Sequence, residues 1–116
     1  MKLAKKLQRT RVLDRDEWTC QYCGARLFTN DEATVDHIIP VSLGGANEDA
    51  NMRAACKPCN TTKGQRSEQW LRLFLALGQS KYADVITLEQ YHRLQHIGSK
   101  LEPLPEITFF YERESA

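Results

Sequence analysis

Two Cys-x-x-Cys pairs, Cys20-Gln21-Tyr22-Cys23 and Cys56-Lys57-Pro58-Cys59, constrain this chain more than any other feature. Between them they use every cysteine present. Two intervening residues form a turn that can place both thiolates of a pair on one tetrahedral ion. Gly24, directly after the first pair, gives that turn backbone freedom. A closed four-thiolate site has no open position, so its ion supports the fold and does no chemistry; structural Zn2+ is the expected occupant. Two disulfides, a redox pair and an iron–sulfur cluster are the competing readings. A reducing compartment disfavours the first, duplication of the motif the second, and weaker spacing support the third.

The length of 116 residues points to a single domain, 1–116, with a modest core and a thin stability margin that a metal staple widens. Apolar residues at 41% and charged residues at 27% describe a soluble globular chain and exclude a disordered or fibrous one. No apolar run approaches the length needed to span a bilayer. The start is basic, as in a signal peptide, but Gln8, Arg9, Thr10 and Arg11 stand where the apolar stretch should follow. These features predict a cytoplasmic protein with no membrane partner.

A net charge of +1 is low for a nucleic-acid binder, but the charge is unevenly distributed. Lys2, Lys5, Lys6, Arg9, Arg11 and Arg15 face a single acid, Asp14, in the first fifteen residues, and Arg53, Lys57, Lys63 and Arg66 lie in a stretch without acids. Charge alone favours a solvated surface over a basic binding face.

Residues 1–17 read as a basic helix with Val12 and Leu13 turned inward. Thr34 to Ile39 is β-branched and apolar and predicts a strand limited by Pro40. Ser42 to Asn47 reads as a loop, Met52 to Ala55 as a short returning strand, and Pro58 as an opening position of a helix running toward Gly64. Further on, Ser67 reads as the N-cap of a helix with Trp70, Leu71, Phe74, Leu75 and Leu77 on its apolar face, stopped by Gly78. A second helix begins at Thr87 with Gln90 completing a capping box, and runs to about Ile97. Both helices read as cover for the core. Ile107 to Tyr111 reads as an extended segment or short strand.

The loop between the cysteine pairs carries the chemistry. Asp36 and His37 close the first strand, Asn51 opens the second, and Asn60 sits one residue beyond the last zinc ligand. Carboxylate and carboxamide oxygens from Asp36 and Asn60 suit a hard cation such as Mg2+ or Mn2+. Successive strand residues point to opposite faces, so Asp36 and His37 should divide the labour. A neutral imidazole can take a proton from water while the cation stabilises a leaving oxygen, which is the division that phosphodiester hydrolysis needs. In isolation, each of these residues reads as a surface pair, a cap or a turn residue; their joint order gives the pattern its weight.

That order resembles the HNH endonuclease family in its zinc-containing form. The matching residues are Cys20-x-x-Cys23-Gly24, Asp36-His37-Ile38-Ile39-Pro40, Gly44-Gly45, Asn51 and Cys56-x-x-Cys59-Asn60-x-x-Lys63-Gly64, with Arg11 to Asp16 as lead-in. The resemblance covers residues 9–66 and leaves 67–116 as a helical C-terminal extension. It implies an α+β fold: a small ββα-metal (His-Me finger) core with a four-cysteine structural zinc site, flanked by helices. It implies that His37 is the general base, that Asp36 and Asn60 hold a catalytic divalent cation, and that Asn51 secures the catalytic loop and orients His37. Asparagine at position 60, where histidine is common, makes this an H-N-N variant. The family cuts DNA to leave 5′-phosphate and 3′-hydroxyl ends. Its short helix lies against the DNA backbone, which gives Arg53, Lys57, Lys63 and Arg66 the role of phosphate contacts, with further contacts from the basic N-terminal helix. Cutting both strands requires two sites, hence a homodimer or a partner protein; phage packaging, restriction systems and mobile elements all use such chains.

Two other readings compete. A zinc-stabilised DNA-binding module without catalysis would treat Asp36 and His37 as structural, and an interaction protein would present the Trp70–Leu77 face to a partner. His92 and His96, with Glu89, have metal-ligand spacing on a predicted helix but no further ligand nearby, and read as ordinary surface histidines.

Overall fold

In a computed structural model describing residues 2–114, the chain forms two compact units. One runs to Glu68 and takes in the segment from Thr108; the other is Gln69–Ile107.

The first unit opens with α1, Lys2–Arg15, whose buried residues are Val12 and Leu13. Two antiparallel strands follow, β1 (Ala33–His37) and β2 (Met52–Cys56), paired so that Asp36 faces Arg53 and His37 faces Met52. The strand alternation gives the sheet two distinct sides. Leu13, Leu27, Ala33 and Ala54 form a buried cluster on one of them, with Trp18, Val35 and Cys56 packed around it. Burying a side chain the size of leucine contributes about 1.5–3 kcal/mol, so this small cluster alone gives a slender core.

Polar clasps supplement it. Arg9 donates to the carbonyls of Asn30 and Ala33, both at 3.0 Å. Arg15 donates to the carbonyls of Met52 at 2.5 Å and Asp49 at 2.9 Å, and Arg11 pairs with Asp49 at 2.8 Å. The three arginines of α1 are therefore architectural, whereas its three lysines, Lys2, Lys5 and Lys6, are exposed.

The short helix α2, Lys57–Lys63, follows β2 directly, with Cys56 as its N-cap and Pro58 in its first turn. Proline is tolerated there because the first N–H groups of a helix have no intrahelical acceptor.

The second unit contains α3 (Glu68–Gly78, entered from the first unit) and α4 (Leu88–His96). Thr87 and Gln90 form the expected reciprocal capping box. Leu77, Leu88 and Tyr91 make its cluster, joined by Trp70, Leu73, Tyr82, Ile86, Leu101 and Leu104. The segment read as extended, Ile107–Tyr111, differs from expectation. It turns into a short helix, α5, Phe110–Glu114, because Glu112 folds back to accept the Phe109 N–H at 2.8 Å. Its aromatic residues dock on the first cysteine turn, where the Phe110 and Tyr111 N–H groups donate to the carbonyls of Tyr22 and Gln21, each at 3.0 Å. The observed architecture is the expected small α+β core with flanking helices and a four-cysteine cluster.

Candidate active site and metal centres

The two cysteine pairs meet as their spacing requires. Cys20 and Cys23 lie on a turn closed by Gly24, whose φ of +83° is a left-handed conformation that favours glycine. Cys56 ends β2 and Cys59 lies in the first turn of α2. All four sulfurs fall within 4.8 Å of one another, the single such group of three or more potential ligands among the described residues. Cys23 and Cys56 Sγ are 3.8 Å apart. A tetrahedron with metal–sulfur bonds of about 2.3 Å has edges of about 3.8 Å, so the donor set fits Zn2+. The thiols also perturb one another. A hydrogen bond from Cys59 draws Cys20 down to about 4, whereas burial pushes Cys23 up to about 11 and the bond to Cys20 pushes Cys59 upward. Four crowded sulfurs cannot all ionise unless a cation compensates their charge.

Asp36, His37, Asn60, Pro40, Val41 and Gly64 line one cleft of about 340 Å³. Asp36 comes from β1, at 4% exposure. Its Oδ2 accepts from the Tyr22 hydroxyl at 2.5 Å. The Lys63 ammonium lies 3.2 Å from Oδ1 and 3.1 Å from Oδ2, and also donates to the His37 carbonyl at 2.8 Å. A carboxylate has about four lone-pair positions, so these contacts leave room for a cation. Burial first, then the Asp36 charge, holds the Tyr22 phenol well above its ordinary value and keeps it a donor. Among the described residues nothing hydrogen-bonds the Asn60 carboxamide, which therefore remains available as an oxygen ligand. Asp36 and Asn60 together suit a hard cation.

His37 sits half-buried, its Nε2 3.3 Å from the Asn47 carboxamide oxygen. Asn51 reaches the loop rather than the imidazole. It accepts from the Ile39 N–H at 2.9 Å and donates to the carbonyls of Ile39 at 3.0 Å and Ala46 at 2.9 Å. The loop backbone packs so closely that a Cβ on Gly45 would lie 1.7 Å from the Ile39 carbonyl oxygen. Gly45→Ala must therefore displace backbone; we expect a loss of several °C in melting temperature, and a thermal scan matching wild type would refute this packing.

The expected phosphate contacts divide. Lys57 and Arg66 are exposed at the start and just beyond the end of α2. Lys63 and Arg53 face inward instead. Lys63 is fully buried on Asp36, where its charge balances the carboxylate. Arg53 pairs with Glu68 at 2.8 Å and lies 3.6 Å over the Tyr111 ring. Tyr22 and Asn47 are site residues that sequence reasoning missed. Tyr22 is hidden between two cysteines, and Asn47 lies in a stretch whose composition only says loop. His92 and His96 stay exposed on α4.

The sequence profile of the HNH endonuclease family matches residues 20–66. The CRISPR-associated endonuclease Cas9 of Corynebacterium diphtheriae is 38% identical over 60 residues, which is 50% of this chain and 5% of that protein. In the crystal structure of the type II-C Cas9 enzyme from Actinomyces naeslundii, a similar segment covers 56% of this chain and 7% of that one, at 27% identity and a TM-score of 0.49. The chain thus spans a small fraction of the length of these relatives. The likeness to the HNH endonuclease family is carried by the segment 20–66, which holds the paired cysteines and the Asp36-His37 strand end.

Proposed function

We propose that this protein is a metal-dependent DNA endonuclease that hydrolyses phosphodiester bonds, with His37 as general base. The observation that carries the proposal is the cleft in which Asp36, His37 and Asn60 converge. The Asn47 oxygen accepts from Nε2–H of His37, which leaves Nδ1 as the basic nitrogen. Nδ1 takes the proton of a water that attacks phosphorus; the bond to the 3′ oxygen breaks, that oxygen takes up a proton from solvent, and a 5′-phosphate and a 3′-hydroxyl remain. Asn51 supports this step by holding the loop backbone beside the imidazole. Asp36 and Asn60 would hold Mg2+ or Mn2+, which when bound neutralises the charge developing on the leaving oxygen. Lys57 and Arg66 would contact phosphates and set position rather than sequence. Double-strand cutting on this reading uses a second copy or a partner protein.

A non-catalytic, zinc-stabilised DNA-binding module is the second reading. The Lys63–Asp36 ion pair favours it, because it gives Asp36 a structural partner. Incubation with supercoiled plasmid separates the two. The nuclease reading expects nicked or linear product with millimolar Mg2+ or Mn2+ and none with EDTA. Plasmid that is bound but intact under every metal supports the binding module instead.

A further inference from the structure

Tyr22 joins the two metal centres physically. It lies inside the first cysteine pair, so zinc ligands flank it on both sides. Its ring is buried edge-on against Phe109 at 5.1 Å, with the Arg53 guanidinium 5.8 Å from its centroid. Its backbone carbonyl accepts from Phe110 N–H, and its hydroxyl reaches Asp36 Oδ2 at 2.5 Å. A ring fixed at both ends leaves the hydroxyl little freedom, so its hydrogen bond sets the rotation of the Asp36 carboxylate. Without it, Lys63, already 3.1–3.2 Å from both oxygens, would be the dominant partner and free to draw the carboxylate away from the cleft.

We infer that Tyr22 is a positioning residue for the divalent-cation site: it transmits the rigidity of the cysteine knot to Asp36 and keeps one carboxylate oxygen available to the cation beside Asn60. This rests on the reading of Asp36 as a cation ligand. A hydrogen-bonded neighbour that orients a metal ligand typically changes metal affinity by about 10–100-fold.

Tyr22→Phe tests it, because the ring and its packing stay while the hydroxyl goes. Mn2+ binding is measured on zinc-loaded protein without DNA, by calorimetry and by electron paramagnetic resonance of free Mn2+. Affinity should fall about tenfold or more. The Mn2+ concentration for half-maximal plasmid cleavage should rise in parallel, and the rate at saturating Mn2+ should return to near the wild-type value. Zinc content and melting temperature, measured on the same sample, should match wild type. A Mn2+ isotherm superimposable on wild type overturns the inference, as does weakened binding accompanied by zinc loss or a lowered melting temperature. Asp36→Asn is measured alongside. If it binds Mn2+ as wild type does, the cation reading of Asp36 itself fails; if it loses binding while Tyr22→Phe does not, only the role of Tyr22 fails.

Discussion

His37→Ala should cut plasmid DNA about 10²–10⁴-fold more slowly than the wild-type protein, the range that a positioned general base supplies. That range corresponds to roughly 3–5 kcal/mol of barrier. The same variant should keep its zinc and its melting temperature. The imidazole is half-buried, its side-chain partner is Asn47 on an exposed loop, and it contributes nothing to the cluster of Leu13, Leu27 and Ala54. Small imidazole-like bases added to the reaction should restore part of the rate, since the missing group is a proton acceptor and not a fold element. A variant that cuts at the wild-type rate would remove His37 from the mechanism. One that loses zinc together with activity would show that its role is structural.

Loss of zinc should have the largest effect on stability. Apparent binding free energies of structural zinc sites reach about 10–16 kcal/mol, as much as or more than the whole stability of an ordinary domain. Here the four cysteines tie the first turn, the end of β2 and the start of α2 to one point, next to a small apolar cluster. Cys59→Ser, or prolonged treatment with a strong chelator, should abolish the cooperative unfolding transition of this unit and expose its amides to rapid hydrogen exchange. Zn2+ added back to the chelated wild-type protein should restore both. Persistence of slow exchange in β1 and β2 after verified zinc removal would mean that the apolar cluster and the arginine clasps hold the unit without the metal.

Much of the site was legible because it depends on local spacing. Cys-x-x-Cys, a strand ending in Asp36-His37, a proline in the first turn of α2 and the Thr87–Gln90 box each express a rule that operates over a few residues. What could not be read depends on direction in three dimensions. Lysine is almost never fully buried without a partner, so Lys63 read as a surface phosphate contact. Its burial follows from Asp36 lying on the same side of the sheet as α2, a fact of packing. Arg53 turned inward for a similar reason, its register opposite Asp36 bringing it to Glu68 and Tyr111. The aromatic run 109–111 carried β propensity, but a single carboxylate, Glu112, capped it into a helix.

The arginine clasps of α1 bear on how the protein would hold its substrate. Each phosphate contact on duplex DNA adds about 0.9 to the slope of log affinity against log salt. Arg9, Arg11 and Arg15 are engaged with carbonyls and Asp49, while Arg53 and Lys63 are turned inward. Lys2, Lys5, Lys6, Lys57 and Arg66 remain exposed, so on the nuclease reading the salt dependence of DNA binding should reflect these cations and not the unit's whole basic content. On that reading the arginines that clasp the fold set its shape, while the exposed side chains at the start of α1 and around α2 set its hold on a phosphate backbone.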